Sequence, residues 1–105
     1  MLHTVYINII NNAIYWMRNK DERKILLDYN KISNEIIICN SGLKIENHRL
    51  EKIFDMFYSN RPNGRGIGLY LSKQSLNENN LDIYATNKKE YNQLNGACFV
   101  IKSLN

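Results

Sequence analysis

The sequence predicts an α/β (α+β) two-layer sandwich, with helices on one face of a mostly antiparallel sheet. Three observations carry that expectation. An amphipathic helical stripe covers Leu2–Asn19, four short runs read as strands with a hairpin turn between the first two, and a glycine-rich segment runs into a second apolar-periodic stretch after Gly68. A length of 105 residues bounds the chain to one domain with a modest core. No run approaches the roughly 18 apolar residues of a membrane span, and the N-terminus lacks both an export signal and an Arg/Ser-rich transit pattern. The expected location is therefore cytoplasmic, with no membrane segment in this chain. Lysines and arginines give a net charge of +4 but are scattered and interrupted by acids, as in Lys20-Asp21-Glu22-Arg23-Lys24, so no nucleic-acid partner is expected. Cys39 and Cys98 lie in apolar strand-like runs and are expected as two reduced thiols. With two distant histidines they offer no metal-ligand spacing.

The first segment places apolar residues at 2, 5, 6, 9, 10, 13, 16 and 17, the pattern of a helix that packs one face on a sheet. At about 100° per residue, Asn8 and Asn12 stack one above the other at the rim of the apolar face. An amide at a core edge needs a hydrogen-bond partner, and asparagine is a poor helix former, so local stability does not account for the pair. The competing explanation is chance, because asparagine is abundant throughout the chain.

Lys24–Tyr29 and Glu35–Cys39 read as strands around a turn at Asn30–Asn34. A glycine turn, Asn40-Ser41-Gly42-Leu43-Lys44-Ile45, follows the second strand directly. Glu46–Met56 has the composition of a short helix, with Leu50, Ile53, Phe54 and Phe57 as its inward stripe. Leu81–Ala85 and Ala97–Ile101 read as two closing strands, with asparagine-rich turn chemistry between them.

Gly64, Gly66 and Gly68 stand at alternate positions before Ile67, Leu69, Tyr70, Leu71 and Leu76, so a glycine loop feeds a helix N-terminus. Such a junction points unpaired N–H groups and the positive end of the helix dipole at one spot, where missing Cβ atoms admit an anion. The G-x-G-x-G spacing matches neither a Walker A loop nor a Rossmann turn.

Ile53–Phe57 and Gly64–Leu69 together resemble the F and G2 boxes of the histidine-kinase-like ATPase superfamily (the Bergerat fold), which includes sensor kinases, gyrase B and MutL. Asn8-Ile9-Ile10-Asn11-Asn12-Ala13 resembles its N box, N-L-L-x-N-A, and Gly96-Ala97-Cys98-Phe99 fits its final strand. Asn40–Ile45 stands where the family has its G1 box, D-x-G-x-G-I, but Asn40 replaces the adenine-reading aspartate and Lys44 the second glycine. The resemblance spans Val5 to Ile101, is closest to the catalytic ATP-binding domain of sensor histidine kinases, and places four motifs in order on the elements the sandwich requires.

The resemblance implies ATP and Mg²⁺ as cofactors: Asn12 would hold the metal, Asn40 and Gly42 would meet adenine, and Gly64, Arg65, Gly66 and Gly68, running into Leu69, would meet phosphates. Asn8 occupies the catalytic position at which hydrolytic members place a water-activating glutamate. An amide is no general base near neutral pH, so hydrolysis is expected to be slow. Neither His3 nor His48 lies in a kinase acceptor context, which puts the phosphoacceptor on a histidine domain or other segment outside this chain. Members usually carry further strands before the N box, so residues 1–105 are expected to be a single domain forming the C-terminal part of a longer signalling protein, or else to leave a sheet edge uncovered. The alternative is a degenerate interaction module that has lost nucleotide binding through its altered G1 box. At Asn40 an amide can offer oxygen to the adenine amine or, flipped, a donor to guanine O6, which implies ATP and GTP within about tenfold of each other.

Overall fold

A computed structural model of the protein describes residues 2–58 and 67–105. Helix α1 (Leu2–Met17) leads into the hairpin β1 (Ile25–Asn30) and β2 (Glu35–Asn40); two 3₁₀ turns (Asn47–Arg49 and Lys52–Phe54), helix α2 (Gly68–Glu78), β3 (Leu81–Ala85) and β4 (Cys98–Ser103) follow. The strands form one antiparallel sheet in the order β1-β2-β4-β3. Crossing from β2 to β3 before returning through β4 makes β2 and β4 the central strands, and these carry the longest buried runs.

The helical layer and the sheet meet as the periodicities dictate. Val5 and Ile9 from α1 and Leu76 from α2 lie against Ile38, Ile83, Phe99 and Ile101, with Ile53 and Phe54 closing one end. The other face of the sheet has a smaller core of its own, in which Ile37, Cys39, Cys98 and Val100 are covered by Leu26, Tyr84, Tyr91 and Leu94. Along its rim the buried Glu35 carboxylate accepts from Tyr91 Oη at 2.9 Å, Tyr84 Oη at 3.3 Å and Ser33 Oγ at 2.8 Å. Burial, then the hydroxyl and carboxylate neighbours, push the Tyr84 phenol well above its usual range.

Three corrections to the sequence-based expectations follow. The 46–56 segment is not a helix but two single 3₁₀ turns, because Asp55 swings to an extended ψ of 144° and ends the second. Its inward stripe therefore stops at Phe54, and Phe57 stands 68% exposed at a φ of 66°. The cysteines are not two reduced thiols: the β2–β4 register sets Cys39 opposite Cys98, 59 residues away, and the two are joined as a disulfide. Asparagine abundance also acquires a reason at three turns, since Asn34, Asn80 and Asn95 all adopt the left-handed conformation that asparagine tolerates better than most residues.

Two outcomes are expected. A Cβ on Gly96 would collide with the Asn40 carbonyl oxygen and stand 2.7 Å from Gly42 N, so Gly96→Ala should cost about 3 kcal/mol in urea unfolding. At the opposite edge, Lys73 Nζ holds Asp82 Oδ1 at 2.7 Å and the Ile83 carbonyl at 2.8 Å. Partial burial raises the Asp82 pKa, but hydrogen bonds from Lys73, Asn77 and the Ile83 N–H, together with the Lys73 charge, outweigh it and leave a net lowering. A carboxylate lowered in the folded state contributes stability above its unfolded pKa and loses it as pH falls through the folded value. Asp82→Asn should therefore be less stable than the wild type at neutral pH, with the difference closing below about pH 4 in denaturation curves taken across acid pH.

Candidate functional site

A cavity of about 260 Å³ opens at the C-terminal end of β2, where α1, the sheet and the 3₁₀ segment meet. Its walls are apolar, with Leu43, Ile45, Ile53, Leu69 and Phe99 among them, and Asn12 and Asn40 supply amides. Lys44, Glu46 and Arg49 also line it, while Arg49 Nε donates to Tyr58 Oη at 2.8 Å. Sites that enclose a whole small ligand run to about 300–1,000 Å³. This one is sized for a flat ring, with polar extensions left outside.

Asn40 is 4% exposed and is the most buried polar residue of the cavity lining. Its backbone N–H donates to Ala97 O at 2.9 Å, extending the β2–β4 ladder by one residue. Its side-chain Oδ1 accepts from the Gly42 N–H at 2.8 Å and lies 3.5 Å from the Ala97 N–H. Gly42 is a glycine for a local reason, since a Cβ there would stand 3.0 Å from both Asn40 Oδ1 and the Trp16 carbonyl oxygen. The bare backbone lets the N–H reach the amide. Nδ2 of Asn40 has no hydrogen-bond acceptor among the described residues.

The structure brings together some of the sequence-predicted residues and separates others. Asn12, Asn40 and Leu69 line the one cavity, arriving from α1, β2 and α2, and Gly42 adjoins it through Asn40. Asn8 lies one turn before Asn12 but is turned to α2, where its Nδ2 donates to Ser72 Oγ at 3.1 Å and to the Gly68 carbonyl at 3.3 Å. Ser72 Oγ in turn donates to the same carbonyl at 2.8 Å, so Asn8, Gly68 and Ser72 form a tie between the helices. Gly68 has only ordinary van der Waals space beside Asn8 and opens α2, where the first-turn N–H groups and dipole gather. Gly64, Arg65 and Gly66 lie outside the described residues. Sequence reasoning missed Trp16, Leu43, Arg49 and Phe99 as cavity residues. Trp16 stands four residues after Asn12 on the same helix, and Leu43 and Phe99 fall inside the Asn40–Ile45 and Gly96–Phe99 motifs, so each of these three had a signal.

The sequence profile of the family described as "Histidine kinase-, DNA gyrase B-, and HSP90-like ATPase" matches residues 1–104. This chain belongs to that family. The signal transduction histidine-protein kinase AtoS of Escherichia coli is 29% identical over 102 residues, covering 96% of this chain and 16% of the kinase. The sensor protein SrrB of Staphylococcus aureus is 30% identical over 104 residues, 93% of this chain and 17% of that protein. The chain thus spans about a sixth of the length of either relative. Among solved structures, the catalytic domain of histidine kinase ThkA superposes with a TM-score of 0.73 at 25% identity, over 97% of this chain and 64% of that one. The mycobacterial sensor histidine kinase MprB, at a TM-score of 0.74 and 21% identity over 95% of this chain and 67% of that one, shares the fold. The α+β sandwich is that of histidine kinase catalytic domains.

The Asn8 tie makes a separable prediction. Asn8→Ala removes two hydrogen bonds between α1 and α2 and should lower unfolding free energy by about 1–2 kcal/mol in a denaturant titration.

Proposed function

We propose that residues 1–105 form a Mg²⁺–nucleotide-binding catalytic domain of the sensor histidine kinase type, serving phosphoryl transfer to a histidine outside these residues. The observation that carries this is the convergence of Asn12, Asn40 and Leu69, from three elements distant in sequence, on one apolar-walled cavity beside the N-terminus of α2. The cavity fits a purine ring: its walls are apolar, and a nearly buried amide supplies one polar contact at its edge. Asn40 and Gly42 form the base end in this reading, and Asn12 would hold Mg²⁺. Gly64, Arg65, Gly66, Gly68 and Leu69 would receive phosphates at the helix N-terminus. Mg²⁺, when bound, would supply neutralisation of the negative charge on the phosphates.

The chain's own contribution is binding and orientation. Asn8, at the position where a water-activating acid would sit, cannot take a proton, and its amide already ties α1 to Ser72 and Gly68 of α2. An amide in place of a base at that position favours an acceptor delivered from elsewhere. No helix among the described residues is long and apolar enough to cross a membrane.

Melting the protein against Mg-ATP and Mg-GTP tests the binding. At a hundredfold excess over the dissociation constant, stabilisation should reach about 2.7 kcal/mol. Asn12→Ala should bind nucleotide with little or no Mg²⁺ dependence. A melting temperature indifferent to both nucleotides would refute the proposal, and equal Mg²⁺ dependence in the variant would remove Asn12 from the metal site.

A further inference from the structure

We propose that Asn40 sets the base specificity of this site in favour of purines with an oxygen at position 6, guanine and hypoxanthine, over adenine. The inference rests on the nucleotide reading above and adds to it the identity of the base. Considered as a free amide, Asn40 could turn either end to the ligand. In the folded chain it cannot do so at equal cost. Its Oδ1 accepts the Gly42 N–H at 2.8 Å and faces the Ala97 N–H at 3.5 Å, and both are backbone donors that cannot rotate away. Turning the amide over would aim an NH₂ group at two N–H groups, losing the hydrogen bond to Gly42 and leaving that donor unsatisfied beside a side chain only 4% exposed.

The end left for the cavity is Nδ2, which has no acceptor among the described residues and can only donate. Adenine carries an amine at position 6, also a donor, whereas guanine and hypoxanthine carry a carbonyl oxygen there. The first pairing sets N–H against N–H. The second completes a hydrogen bond. An aspartate at this position would keep one oxygen on the Gly42 N–H and turn the other to the cavity, so replacing NH₂ by O⁻ reverses what the site asks of the base. Adenine ring nitrogens do accept hydrogen bonds, and a shifted base could use one, which limits the preference to a modest factor.

Isothermal titration of the 105-residue chain with Mg-ITP, Mg-GTP and Mg-ATP tests the proposal, and ITP isolates the 6-oxygen because it lacks the 2-amino group of guanine. ITP and GTP should each bind at least about tenfold more tightly than ATP, the factor one well-placed hydrogen bond supplies. Asn40→Asp should invert the order, with melting in the absence of nucleotide confirming that the variant folds. If the variant does not fold, the wild-type ratio of ITP to ATP decides alone. ATP binding as tightly as ITP in the wild type would overturn the specificity inference while leaving the nucleotide site standing. Failure of all three nucleotides to bind would overturn both.

Discussion

The hydrogen bonds that end strand β2 are the constraint on which the rest of this structure depends. At Asn40 the backbone N–H continues the ladder to Ala97, the side-chain oxygen closes the turn to Gly42, and the carbonyl oxygen is packed so closely that residue 96 must be glycine. A buried hydrogen bond adds only about 1 kcal/mol net, but a buried polar group left unmade costs up to about 3 kcal/mol. One residue thus aligns the central strands, shapes the turn and stands in the cavity wall. Strand alignment and cavity wall cannot be altered independently there.

The helical layer is pinned to that sheet by polar ties at its edges as well as by apolar packing. Asn8 and Ser72 converge on the Gly68 carbonyl, which sets α1 against the first turn of α2. Lys73, one residue on, reaches the opposite way to Asp82 and the Ile83 carbonyl and lies over the Phe54 ring, which fixes α2 to β3. The start of α2, and with it Leu69, is held from both sides. A cavity whose lining comes from α1, β2 and α2 needs such ties, because a shift of either helix would open it.

Both edge strands are blunted in the same way. On β1 the Asp28 carboxylate accepts the N–H of Tyr29, and on β3 the Asp82 carboxylate accepts that of Ile83, each at 2.8 Å. A side chain thereby occupies a backbone donor that would otherwise template a further strand. Apolar Ile25, Leu27 and Tyr29 nonetheless remain exposed along β1. Strict helix and strand periods name the face each residue takes, not how far the opposing layer extends.

The sequence by itself determined the two long helices and four strands, their order, and the chemical character of the cavity's amides, because helix and strand periods and the motif spacings are local properties written within a few residues. Leu81–Ala85 was legible to the residue, and the first helix ran only two residues short of its expected end. Only the tertiary structure decided which way those amides face. Asn8 and Asn12 are equivalent by position, yet α2 takes one and the cavity the other. Cys39 meets Cys98 because of register, and a short helix gave way to 3₁₀ turns that close one end of the core. Asn40 is the clearest case. Its residue type could be read at once, but whether it offers an oxygen or an N–H depends on two backbone donors, one 2 residues away and one 57 residues away, that only the folded chain brings to the same atom.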